Sequence, residues 1–284
     1  TKQGKAGKVQ VTYDGTIGWS DPYKLPDMLT AKEYMDIMDL TAFNQGKAPY
    51  DWTKYIKDEA LLKAYQDGSN KGTDWIAELR NEHAVTTSHA VNIAGGNDVS
   101  TYSAGFGYQY QDGVFGGPVK SDYKRFTFRI NSEHALWKGS NRDIIKFGEN
   151  LYFQHKQNQG IQIGNQYSNL LSTALRANPL IPVYNNEGKL FMHDDIAALG
   201  LFDYNLYSSN PIAYAMNTQS GNNKSKNFNM NSAFYVDVQP IKNLTYKGLV
   251  SYKTYSSSWR AYTHSYYLND QGEKVDEGSD AISN

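Results

Sequence analysis

Cysteine is absent from the 284 residues, which excludes a disulfide framework and thiolate metal sites and leaves six scattered histidines as the soft metal candidates. An excess of charge of one sign is missing too: 28 Lys and Arg against 29 Asp and Glu leave a formal charge of −1. Phosphate backbones demand clustered cations, so nucleic acid is not an expected partner. No run of about 18 apolar residues occurs, which rules out a membrane-crossing helix. The first residues lack the charged-then-apolar pattern of a secretion signal. A membrane role therefore falls to strands. Hydrophobic residues are only 39% of the chain, below the globular average.

Glycine (24) and tyrosine (23) are abundant, and aromatics reach 14%. That mixture suits strands that alternate water-facing with apolar positions, and the aromatic girdles of transmembrane barrels. Alternation begins at residues 9–19, where Val9, Val11, Tyr13, Ile17 and Trp19 share one face and Gln10, Thr12, Asp14 and Thr16 the other. Over 28–45 the period becomes helical, with Leu29, Tyr34, Ile37, Met38 and Phe43 recurring and Thr30 and Glu33 spaced as a capping box. Two more short helices are expected, at 58–66 before Asp67-Gly68-Ser69-Asn70, and from Thr73-Asp74-Trp75-Ile76 onward.

Strand patterning returns at residue 87, with His89, Val91 and Ile93 leading to a Gly95-Gly96-Asn97-Asp98 hairpin turn. In the next strand Tyr102, Ala104, Phe106, Tyr108 and Tyr110 oppose Ser103, Gly105, Gly107, Gln109 and Gln111. Residues 123–132 repeat the pattern with Phe126, Phe128 and Ile130, and 145–155 with Phe147, Leu151 and Phe153, where Glu149 interrupts the apolar face. A stretch at 160–225, rich in Asn, Ser and Tyr, reads as a long irregular loop. Two further strands follow, at 227–238 and 244–255, joined by a turn at 239–243. Short turns at one end, a long excursion at the other, apolar stretches of about ten residues and Tyr or Trp near the stripe ends (Trp19, Tyr102, Tyr110, Tyr252) describe an outer-membrane barrel wall. Alternation alone also fits a soluble carbohydrate-binding or adhesin-like β domain, and a small self-contained porin-like channel.

Several residues invite chemistry. His193-Asp194-Asp195 has metal-ligand types but no further ligands in view, and His83 and His89 have no nucleophile spaced for a triad. Gly95-Gly96 lacks the Gly-Lys-Ser/Thr continuation of a phosphate loop. Asn243-Leu244-Thr245 fits a glycosylation sequon. Tyrosines and asparagines over 184–210 offer aromatic platforms and amides to sugar rings, or form an ordinary solvated loop. No catalytic, cofactor or metal residue is expected, and substrate-binding residues are not legible.

The opening Lys2-Gln3-Gly4-Lys5-Ala6-Gly7-Lys8 running into Val9-Gln10-Val11-Thr12-Tyr13-Asp14 resembles the junction of plug and barrel in SusC/RagA-type TonB-dependent transporters. The resemblance continues through Thr30-Ala31-Lys32-Glu33-Tyr34, Thr73-Asp74-Trp75, Val91-Asn92-Ile93-Ala94-Gly95-Gly96-Asn97, Tyr102-Ser103-Ala104-Gly105-Phe106-Gly107-Tyr108, Gln111-Asp112-Gly113, Asp122-Tyr123-Lys124-Arg125-Phe126 and Ile145-Lys146-Phe147-Gly148-Glu149-Asn150. It covers most of 1–156 and, more loosely, 226–255. It implies an all-β architecture with minor helices: an antiparallel transmembrane barrel segment, part of about 22 strands around a plug. Residues 1–8 would end the plug and 9–284 begin the barrel, with a helical excursion at 20–86 and an extracellular loop at 160–225. The implied activity is TonB-dependent import of oligosaccharides or peptides across the outer membrane of a Bacteroidetes-like bacterium. The implied partners are a SusD-like surface lipoprotein, TonB through a segment outside this sequence, the substrate and outer-membrane lipid. Thr1 in place of an initiator methionine, and the polar run Glu277-Gly278-Ser279-Asp280, fit an incomplete portion of such a protein.

Overall fold

The computed structural model describes residues 4, 6–119, 121–161, 169–191, 210–218 and 224–263, together with the strand residues 266–267, 274–276 and 279–283. Seven long strands form an antiparallel meander: β1 (Gly7–Ser20), β2 (Ala84–Gly96), β3 (Ser100–Asp112), β4 (Asp122–Lys138), β5 (Asp143–Gln159), β6 (Lys224–Ile241) and β7 (Leu244–Thr263). β8 (Tyr266–Tyr267) and β9 (Lys274–Asp276) pair with each other, and β10 (Ser279–Ser283) adds to the free side of β7. The resulting eight-stranded sheet is open, with β1 at one edge and β10 at the other.

The strands run 13–20 residues, longer than the apolar alternation predicts. The extra ladder lies toward the long connections, where Lys124, Gln157, Lys226 and Ser258 occupy the positions that are apolar lower down. With polar residues on the outer face and a mixed row such as Tyr123, Asn158, Ser225 and Trp259 on the other, these ends carry no alternation to read, yet their backbones pair all the same. Register ties each face together. Tyr13, Val91, Phe106, Phe128, Phe153, Met230 and Thr254 stand in one row of the apolar face; Thr12, Asn92, Gly105, Arg129, Tyr152, Asn231 and Lys253 form the adjoining row of the polar face.

The core is not in the sheet. Among the described residues, Ala84 and Tyr235 are the only buried hydrophobic side chains on the long strands, and both lie on the polar face. The rest belong to connections at one end of the sheet: α1 (Ala31–Asn44), a 3₁₀ turn (Trp52–Lys54), α2 (Glu59–Asp67), α3 (Trp75–Glu78), α4 (Leu170–Arg176) and α5 (Pro211–Thr218). Met35, Ile56, Leu62, Trp75, Ile76 and Leu79 of the β1–β2 connection pack with Val119 of the β3–β4 loop and with Leu170, Ala174, Leu180, Ile181 and Ile212 of the β5–β6 connection. Together they form a cap.

The capping signals operate as expected. Thr30 Oγ1 accepts from the Glu33 amide (3.3 Å) and Glu33 Oε2 accepts from the Thr30 amide (2.8 Å), while Asp58 and Asp74 cap α2 and α3. The stripe expected for α1 is corrected in part. Ala31, Met35 and Ala42 are buried and Tyr34 and Met38 pack beside them, but Leu29, Ile37 and Phe43 point outward. The small Ala31 allows close approach to Lys71 and Gly72, so the Ala31–Met35 face, with less apolar bulk, turns inward. The 160–225 stretch is likewise not wholly irregular, since α4 and α5 lie within it.

Candidate functional site

The apolar face is exposed along its whole width: Val11 is 64% accessible, Phe106 49% and Val250 71%. A soluble sandwich buries such a face against a second sheet; here nothing among the described residues covers it. Its upper border is aromatic, marked by Trp19, Tyr110, Phe126, Phe153, Phe228 and Tyr252, with Lys124, Gln157 and Lys226 beyond. That border slides. Trp19 sits three same-face positions above the Tyr13 row on β1, and Tyr252 one below it on β7. Four positions are about 26 Å of strand and six strand spacings about 29 Å of sheet, so a level band crosses strands tilted by roughly 40°. Membrane barrels tilt their strands by about that angle. Glu149, the interruption in the stripe, accepts from Ser132 Oγ (3.2 Å), which is 3.0 Å from His134 Nε2; His134 Nδ1 is in turn 2.9 Å from Ser100 Oγ. The carboxylate is thus solvated by neighbours on its own face.

The polar face is a wall of amides, hydroxyls and charges. Arg129 Nη2 donates to Asn92 Oδ1 (2.6 Å) across β3, and the crossing is possible because Gly105 stands between them. A Cβ on Gly105 would lie 2.8 Å from both Arg129 Nε and Asn92 Oδ1. Gly105, Gly107 and Ala90 floor a depression of about 280 Å³ walled by Arg125, Thr127, Arg129 and Tyr152. Arg129 and Tyr152 also border a second depression of about 540 Å³, with Asn131, Asn150, Asn231, Ser251 and Lys253. Toward the short turns the wall is tightly knit. The Tyr235 ring lies over Gly148, its hydroxyl donates to Glu133 Oε2 (2.9 Å), and Lys247 Nζ sits 4.2 Å from the ring centre. Lys146 pairs with Glu133 (3.2 Å) and Asp143 (3.4 Å), and Lys247 with Asp237 (3.5 Å).

The cap closes over the other end through contacts between distant segments. Thr73 donates its amide to Pro179 O (2.9 Å) and its hydroxyl to Ile181 O (2.7 Å), and Trp75 Nε1 donates to Asn178 O (3.0 Å). Tyr65 donates to Leu180 O (3.1 Å), and burial pushes its phenol up to about 12. Asn210, 1% accessible, donates to Val183 O and Phe191 O and accepts from the Ile212 and Ala213 amides, both 3.1 Å away. At the base, Asp21 accepts from the His83 amide (2.7 Å) and faces its ring (3.0 Å), clasping the two ends of the first excursion. Those contacts, the amide first, hold the Asp21 carboxyl below its ordinary range.

No protein-family model matches the chain. The TonB-dependent receptor SusC of Bacteroides thetaiotaomicron is 29% identical over 189 residues, 66% of this chain and 16% of SusC. The RagAB peptide importer superposes with a TM-score of 0.68 in its closed-closed state, at 19% identity over 95% of this chain and 30% of the importer chain. Its open-open state gives 0.67 at 20% identity, covering 93% and 29%. The chain shares the fold of one part of the RagAB importer and is similar in sequence to one part of SusC.

Of these relatives, SusC is named as a TonB-dependent receptor and RagAB as a peptide importer. The chain spans about a sixth of SusC, 16% of its length. The histidines singled out by type have separate local partners: His83 joins the Asp21 clasp, while His89 lies between Tyr13 Oη (2.7 Å) and Thr87 Oγ1 (2.8 Å). His193-Asp194-Asp195 lies outside the described residues, and so does most of 184–210; Tyr184 itself is exposed. Among the described residues no cluster of three or more His, Asp or Glu is arranged as metal ligands. Asn243 occupies the two-residue β6–β7 turn with φ of 69°. The Arg129–Asn92 bridge and the glycine-floored depression were not singled out in the sequence. Gly105-Phe106-Gly107 opposite Arg-x-Thr-x-Arg is their signal, readable only once the β3–β4 register is known.

Proposed function

We propose that this chain supplies the first strands of the barrel wall of a TonB-dependent importer in the bacterial outer membrane, within a plugged barrel of about 22 strands. Residues 1–8 close the plug and the strands from residue 9 begin the wall. The apolar face meets lipid, the polar face lines the lumen, and the cap stands on the extracellular side, where a SusD-like lipoprotein would cover the entrance. TonB acts through a segment outside this sequence. Oligosaccharides are the proposed cargo, with peptides, named for RagAB, as the alternative.

One observation carries the reading: an uncovered apolar face whose aromatic border, marked on six of the seven long strands, runs from β1 to β7 as a level band would cross a tilted sheet. Spin labels placed singly at Tyr102, Phe106, Phe126, Phe128, Phe234 and Val236 of the intact protein in bilayers test it. Lipid-like oxygen accessibility is expected there, and water-like accessibility at Asn231 and Ser251 of the polar face. Water-like values at most of the six would overturn the membrane assignment. TonB-independent accumulation of labelled oligosaccharide and peptide would overturn the transport assignment.

A further inference from the structure

The cations of the polar face fall into two groups. Near the short turns, Lys146 and Lys247 are matched by Glu133, Asp143 and Asp237. Higher up, Arg125, Arg129, Lys156 and Lys253 have no carboxylate of the described residues within ion-pair distance. Arg125 and Lys156 are direct register partners, placing like charges about 5 Å apart at Cβ, an arrangement that disfavours folding unless something negative sits between them. Arg125 and Arg129, about 13 Å apart along β4, mark the two ends of the depression floored by Ala90, Gly105 and Gly107. Guanidinium donors in fixed planes suit a carboxylate. Tyr152 offers an aromatic face, and Thr127 and Asn92 offer hydroxyl and amide partners. All strands around the depression are paired on both sides, so a ligand meets side chains and not free backbone. That favours a hydroxyl-rich ring over a peptide main chain.

Resting on the reading of the polar face as the lumenal wall, we propose that the Arg125–Arg129 depression is a subsite for an acidic sugar, gripping the carboxylate of a uronic acid residue within the imported oligosaccharide. Lys156 and Lys253 extend the positive path along the wall.

The test uses the intact importer with its lipoprotein partner in detergent, titrated calorimetrically with hexagalacturonate, with its fully methyl-esterified neutral form, and with hexaglutamate. Hexagalacturonate is expected to bind about tenfold more tightly than the ester at low salt, an advantage that shrinks as salt rises. The double variant Arg125→Gln, Arg129→Gln should lose that advantage while binding the ester within about twofold of wild type. Equal wild-type affinity for acid and ester overturns the subsite but leaves the importer standing. Tighter binding of hexaglutamate overturns the sugar assignment in favour of an acidic peptide. A double variant that keeps its acid preference yet melts lower without ligand shows that the arginines hold carboxylates elsewhere in the protein, and also overturns it. Loss of TonB-dependent uptake of every probe strikes the importer reading instead.

Discussion

Gly148 and Tyr235 form a unit in which the glycine of β5 exists to be covered by the ring of β6. The ring, 5% accessible, is fixed at its far end by Glu133 and flanked by Lys247. A methyl group at Gly148 would drive into the ring, so Gly148→Ala should destabilise the intact protein by about 1–3 kcal/mol. Urea unfolding in lipid vesicles reads this directly, and unchanged stability would show that the ring is not seated as described. The Asp21–His83 clasp makes a pH prediction. The folded carboxyl is held below its ordinary value of 3.8, so its contribution is complete above that value and vanishes as pH falls through the lowered one. The protection factor of the His83 amide, its slowing relative to the intrinsic exchange rate at the same pH, should hold from about pH 8 to pH 5 and fall only once the pH drops below the ordinary carboxyl value of 3.8. Asp21→Asn should abolish the acid step; an unaltered step assigns it to another group.

The cap shows which elements were legible and which were not. Thr30 and the Thr73-Asp74 pair announced two helix starts, and Asp58 caps the third in the same way, because capping is local: the side chain and the amides it satisfies lie within three residues. The assembly was not legible, because its bonds join Thr73 and Trp75 to Asn178, Pro179 and Ile181, more than a hundred positions away. Likewise, the strand faces were readable from alternation, whereas the subsite of Arg125, Arg129 and Gly105 needs the register between strands. Gly72 lies at the seam, with φ of 77°, and a Cβ there would meet the Pro179 carbonyl oxygen. Gly72→Ala should therefore cost about 1–2 kcal/mol for the backbone alone, and more for the collision, loosening the cap without unpairing the sheet. Limited proteolysis of the intact protein should show faster cleavage in 160–191 with the strands still protected. Cleavage at the wild-type rate would mean that the two connections do not depend on this seam.

At the scale of the whole molecule, the tilt of the sheet turns one hydrogen-bonded row into positions at different depths. Ile17, Thr87, Tyr110, Lys124, Gln157, Lys226 and Ser258 are successive register partners on the apolar face. The row begins inside the apolar band and leaves it between β3 and β4, where Tyr110 gives way to Lys124. A sheet lying square to the membrane would hold all seven at one depth; a tilted one places Ile17 in hydrocarbon and Ser258 in water. The same substitution at both ends separates the two cases. Ile17→Lys should destabilise the intact barrel in bilayers by up to about 2–4 kcal/mol, and Ser258→Lys by about 0–1 kcal/mol. Matched unfolding titrations in one lipid give the difference. Equal penalties at the two sites would leave the sliding aromatic border without a membrane to explain it, and with it the assignment of the polar face to the lumen.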